Sequence, residues 1–156
     1  MTDRYVFLTS FLTAVLIVAA AFALNQFFFF EMAKSTIFVA IAVMVFYGDN
    51  RFSYMLGIIA PLLWLLTGVL GLGGSVFTDF RVLYDYLTPG HHVGLLQTPL
   101  HALSYLAALA LVVASWRAWN KEVPEKFIGK TFWTCVAISL VYAVVLSVWY
   151  LHAAQA

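Results

Sequence analysis

Long stretches without a charged residue constrain this chain more than any other feature of its sequence. Residues 5–30, 35–48, 52–78, 91–116 and 131–156 contain no Asp, Glu, Lys or Arg. Most of these stretches exceed the roughly 18 apolar residues that a helix needs to cross the hydrocarbon layer of a membrane. Only 10% of the 156 residues are charged, whereas a water-soluble domain carries about 25%. The sequence therefore predicts an all-α, polytopic integral membrane protein.

The stretches predict a single transmembrane domain over residues 1–156, built as a bundle of five membrane-spanning helices. The expected spans are residues 5–30, 34–47, 52–72, 98–118 and 127–152. The second span is short for a full crossing, so four spans is the alternative count. Gly48, Asp49 and Asn50 favour a tight turn after the second span, which supports two helices over one long helix.

An additional amphipathic helix is predicted over residues 75–87, lying in the plane of the membrane surface. Its apolar residues recur at helical spacing and form one stripe: Phe77, Phe80, Tyr84 and Leu87. Polar residues, among them Arg81 and Asp85, occupy the opposite side. This pattern is typical of interfacial helices.

Lysine and arginine are distributed unequally between the predicted connections, which indicates an orientation. With the N-terminus in the cytoplasm, the inner side holds Arg4, Arg51, Arg117, Lys121, Lys126 and Lys130. The outer side holds only Lys34 and Arg81. The positive-inside rule therefore predicts a cytoplasmic N-terminus and an outer C-terminus. The first apolar stretch is longer than a signal-peptide core, so we expect a retained span and, without a transit peptide, a bacterial inner membrane.

The composition limits the kinds of partner and site that this chain can have. The net charge of +1 provides no basic surface for nucleic acid, and the single Cys135 provides neither an intrachain disulfide nor a cysteine metal motif. The expected partners are membrane lipid, together with further copies of the chain or a larger membrane complex. The middle of each predicted span is free of ionisable residues, which argues against a pump or voltage sensor acting alone.

Histidines mark the candidate site, because all four fall on the predicted outer side. The candidate metal ligands are His101, His152, His92, His91 and Glu31. Imidazole with a carboxylate can bind a transition metal, and His101 facing His152 across the bundle can ligate a haem iron. Tyr105 shares a helix face with His101 at i, i+4, so the candidate cofactor-binding residues are His101, His152 and Tyr105, the last also able to bond a quinone carbonyl.

Several functions stay open at this point. The sequence favours a non-catalytic membrane subunit or a small-ligand-binding helical bundle, because it contains neither an HExxH nor a CxxCH motif. The alternative is a redox or metal protein that carries haem b, a transition metal such as copper, or a quinone. An oligomeric channel or transporter is a further alternative, although no ring of charges is evident. Histidines at headgroup depth are also compatible with simple solvation.

Overall fold

The computed structural model describes residues 2–23, 28–48, 50–72, 75–88, 97–123 and 129–153. These residues form the α-helices α1 (Thr2–Ala23), α2 (Phe28–Phe46), α3 (Asn50–Val69), α4 (Val76–Leu87), α5 (Gln97–Glu122) and α6 (Lys130–Ala153). All of them except α4 are long and apolar enough to cross a membrane. The prediction of an all-α membrane bundle with five spans and one shorter helix is confirmed.

The second helix is longer than the sequence predicted. It begins at Phe28 rather than at Lys34, and α1 ends at Ala23 rather than at residue 30. The prediction treated the charges of Glu31 and Lys34 as the edge of the hydrocarbon layer. In the structure both side chains are buried and bond to each other, so the helix continues through them. The 19 residues of α2 are therefore enough for a full crossing.

Two glycines in left-handed backbone conformations end α2 and α3. Gly48 has a φ of 83° and Gly71 a φ of 72°, which side-chain-bearing residues rarely adopt. After α3, the Leu72 N–H donates to the Thr67 carbonyl at 2.9 Å and the Gly71 N–H to the Gly68 carbonyl at 3.3 Å. This pair of bonds is the Schellman motif. It stops α3 sharply before the chain turns into α4.

The central helix of the bundle is α3, which contacts every other helix. The most extensive packing of α1 is against α5 and α2, whereas α3 packs mainly against α5 and α6. Between α5 and α6 there is no packing contact in the described parts of the chain, because these helices lie on different sides of α3. The contact of α6 with α2 is slight. As a result, α6 is the most peripheral span.

A close approach between α3 and α5 depends on a glycine. A Cβ atom placed on Gly57 would lie 2.4 Å from the Ser115 Oγ and 3.2 Å from the Ser115 Cβ. No real side chain tolerates the shorter distance without movement of its neighbour. Small residues let helices come together in this way where lipid supplies no hydrophobic driving force.

The two ends of the bundle each bring polar groups together. At the near end, where α1 and α3 begin and α5 ends, the fully buried Tyr54 hydroxyl bonds to the carboxylates of Asp3 and Glu122. At the far end, α2 and α5 begin and α6 ends. There the Phe30 ring packs against Trp149 and Tyr150. The far end contains the candidate site.

Candidate functional site

Four ionisable side chains from three helices meet inside the far end. They are Glu31 and Lys34 on α2, Asp79 on α4 and His101 on α5, called here the far-end cluster. Glu31, Lys34 and Asp79 are only 4%, 3% and 9% exposed. Removing an ion from water costs several kcal/mol even after relaxation. Ionisable groups inside a membrane domain are therefore rare, and they usually mark functional sites.

An ion pair within α2 forms the centre of the cluster. The Lys34 Nζ donates to the Glu31 Oε1 at 2.8 Å. The two residues are three positions apart, so they share one face of the helix. The ammonium also lies 5.1 Å from the centre of the Phe30 ring and 5.9 Å from that of Trp64. Cation–π attraction to these rings acts together with the Glu31 carboxylate to offset the cost of removing the Lys34 ammonium from water.

The other Glu31 oxygen faces His101. Its Oε2 lies 3.4 Å from the His101 Nε2, and neither atom has a hydrogen-bond partner in the part of the chain that is described. This separation is longer than the usual N–H···O distance of about 2.9 Å. A carboxylate only accepts, while an imidazole nitrogen donates when it carries a proton. A proton on the His101 Nε2 would therefore allow this nitrogen to donate a hydrogen bond to the Glu31 Oε2.

Helix α4 adds Asp79 to the cluster. The Ser75 hydroxyl caps this helix by accepting from the Thr78 N–H at 3.4 Å, and the Phe80 ring stacks on Tyr105 at 6.4 Å. Burial raises the pKa of the Asp79 carboxyl, and the neighbouring Glu31 carboxylate raises this pKa further. The neighbouring His101 imidazole and Lys34 ammonium act in the opposite direction but do not cancel the rise.

Most of the apolar stripe predicted for α4 faces away from the other helices. Phe77, Tyr84 and Leu87 are 69%, 69% and 72% exposed, and only Phe80 of the predicted stripe packs inward. The reason is that Asp79 has its charged neighbours in the cluster, so the edge of α4 that carries Asp79 and Phe80 turns inward. The exposed stripe is left facing away from the other helices.

The structure does not bring together His101 and His152. His152 is exposed on α6, which has no contact with α5 in the described residues because α3 separates them. The helix contacts therefore do not support the pairing proposed for a haem or a metal. His91 and His92 lie outside the described residues. Among the residues described, no three His, Cys, Asp or Glu side chains are placed to hold a metal ion together.

Other predicted site residues do lie together. Glu31 and His101 face each other, and Tyr105, 2% exposed, lies beside the cluster with its ring 4.6 Å from that of Trp64. Sequence reasoning missed Lys34 and Asp79 as site residues. The i, i+3 spacing of Glu31 and Lys34 was a usable signal, because it places both charges on one helix face.

Comparison with known proteins assigns no family. The chain matches no protein-family model, no curated protein and no solved structure.

The raised pKa of Asp79 leads to a pH-dependent stability. Above its ordinary pKa of 3.8, the unfolded chain loses the Asp79 proton while the folded protein keeps it. The unfolded state then binds fewer protons, so the free energy of unfolding should fall as pH rises through this window and stay lower above the folded-state pKa. We expect Asp79→Asn to remove this fall in unfolding experiments in detergent. Asp85→Asn, a control on the same helix, should retain it, and identical profiles for wild type and Asp79→Asn would contradict the assignment.

Proposed function

We propose that this small membrane protein is a non-catalytic, proton-binding subunit whose ligand site is the far-end cluster. The observation that carries the proposal is the Glu31 Oε2 to His101 Nε2 contact at 3.4 Å, in which neither atom has another partner among the described residues. One added proton changes the net charge of the cluster by one unit, and Asp79 on α4 experiences the charges of Glu31 and Lys34 and the nearby His101. Helix α4, which carries Asp79, is also exposed at the bundle surface through Phe77, Tyr84 and Leu87.

A proton is a better ligand for this site than a metal ion. Glu31 and His101 are both of the type that binds transition metals. However, the Glu31 carboxylate is already paired with the Lys34 ammonium at 2.8 Å. A divalent cation bound to Glu31 would be repelled by this ammonium at close range in a medium of low dielectric. A haem ligated by two histidines is less favoured still, since His101 and His152 lie on helices that are not packed neighbours.

The orientation and the partners belong to the same proposal. We place the near end in the cytoplasm of a bacterial cell and the far-end cluster toward the outer face of the inner membrane. The support is that Arg4, Arg51, Arg117 and Lys121 are exposed toward the near end. We assign lipid, a second copy or a larger complex to the exposed apolar surfaces of α1 and α6, which include Phe11, Phe22, Val141 and Val145.

Fluorescence of Trp64 tests the proposal. Trp64 is 9% exposed and lies 5.9 Å from the Lys34 ammonium, so a change in cluster charge should alter its emission. We expect the emission of the full chain in detergent to change with pH, and the Trp64→Phe variant to identify the part that comes from Trp64. Asp79 also changes charge with pH beside Lys34, so the comparison is made in the Asp79→Asn background, where His101→Gln should abolish this part.

The matched control is His152→Gln, which removes an exposed histidine on a different helix. It should leave the pH response of Trp64 unchanged. A response that survives in His101→Gln, or one that disappears in His152→Gln, would overturn the proposal.

A further inference from the structure

A small cavity lies beside the cluster, between α2, α3 and α6. Its lining includes Lys34, Trp64, Thr67, Ser139, Tyr142 and Leu146. The volume is about 20 Å³, which is room for roughly one water-sized group. Because α6 contacts α2 only slightly, the cavity lies where a molecule in the membrane can approach from the side.

Two donors on the cavity wall have unused hydrogen-bonding capacity. The Ser139 hydroxyl is buried at 1% exposure and has no hydrogen-bond partner in the described part of the chain. The Lys34 ammonium has three N–H groups, and its one hydrogen bond among the described residues is to Glu31. Leaving buried donors unpaired costs about 1–3 kcal/mol each. The cavity therefore favours an occupant that accepts hydrogen bonds.

Ser147 also lines the wall, and two of the other hydroxyl groups there are already used. Thr67 donates to the Trp64 carbonyl at 2.8 Å and Tyr142 donates to the Ala33 carbonyl at 2.7 Å. The charge of Lys34 is balanced by Glu31, so an anionic occupant would leave the site with excess negative charge. A neutral oxygen acceptor satisfies both free donors without adding charge.

We infer that this cavity binds the carbonyl oxygen of a neutral, membrane-soluble molecule. The oxygen fills the small cavity at the side lined by Lys34 and Ser139, and the rest of the molecule remains in the lipid next to α2 and α6. Two sources supply such an oxygen: a quinone ring and the ester group of a phospholipid. The inference uses Ser139, which the proton site does not, so the two proposals can fail separately.

The experiment has two arms, both with the full chain in nanodiscs. In the first, decyl-benzoquinone is titrated into nanodiscs of ether-linked phosphatidylcholine, which lack ester carbonyls, and quenching of Trp64 is followed. In the second, thermal stability is compared between ester-linked and ether-linked phosphatidylcholine without quinone. Ser139→Ala removes one hydrogen bond to the occupant. If the occupant is a quinone, binding in the first arm should weaken about threefold to tenfold. If it is a lipid ester, the extra stability in ester-linked lipid should disappear in the second arm.

Two control variants are used in both arms of the experiment. Ser139→Thr retains the hydroxyl and should behave as wild type. Ser35→Ala removes another buried serine, whose hydroxyl bonds to its own helix at the Met32 carbonyl, and should also have no effect. Saturable quenching that depends on Ser139 identifies a quinone, and a Ser139-dependent ester effect identifies a lipid. Absence of both effects, with water as the only occupant, would overturn the inference, whether or not Trp64 still responds to pH.

Discussion

Glu31→Gln should destabilise the protein by about 3–5 kcal/mol, the usual cost of removing one partner from a buried ion pair. The variant retains the size of the side chain but leaves the Lys34 ammonium, 3% exposed, without the carboxylate 2.8 Å away. Unfolding by denaturant in detergent micelles measures the loss. Changing both residues, as Glu31→Gln with Lys34→Met, should recover most of the stability, because no uncompensated charge then remains buried.

The control for this prediction is Lys130→Met, which removes an exposed lysine at the start of α6. An exposed charge contributes little, so this variant should unfold like the wild type. If Glu31→Gln were as stable as Lys130→Met, the ion pair would not be buried as described, and the far-end cluster would lose its central element.

Gly57→Leu should destabilise the bundle by about 1–3 kcal/mol through overpacking between α3 and α5. Even the first added carbon would lie 2.4 Å from the Ser115 Oγ, so the helices must separate or the side chains must leave their preferred rotamers. Thermal unfolding in the same detergent measures the effect. Ala110→Leu places the same leucine side chain at an exposed position of α5 and should cost little.

A double variant identifies the contact responsible. Ser115→Ala removes the Oγ and leaves the Cβ at 3.2 Å from the added carbon of Gly57→Ala. The two changes together should therefore cost less than the sum of the single changes, as expected for residues in contact. Strict additivity would show that Gly57 and Ser115 do not meet.

The five spans could be predicted from the sequence because lipid demands long apolar helices, and this signal is carried by every residue of a span. The residue at which α2 starts could not be predicted from the sequence. Sequence reasoning assumes that charges lie at the membrane surface, whereas Glu31 and Lys34 neutralise each other inside the helix bundle. Span boundaries based on charge alone therefore fail where two opposite charges are one helical turn apart.

The candidate site was predicted in part. His101, Tyr105 and Glu31 were identified because ionisable and aromatic residues are scarce in this chain, and the structure places all three at the far end. The role of Asp79 depends on how α4 is rotated against the bundle, which hydrophobic spacing does not report. The proposed partnership of His101 with His152 required α5 and α6 to be neighbours. Helix order around α3 is a property of tertiary packing, which no local sequence pattern reports.

Nuclear magnetic resonance of histidine-labelled protein tests the central claim most directly, because it observes the His101 ring itself. We expect the pH dependence of the His101 signals to differ between wild type and Glu31→Gln, because the variant replaces the carboxylate 3.4 Å from the His101 Nε2 with a neutral amide. The signals of the exposed His152 should be the same in both proteins. His101 signals that do not change with pH, or that respond identically with and without the Glu31 carboxylate, would contradict a proton site shared by these two residues.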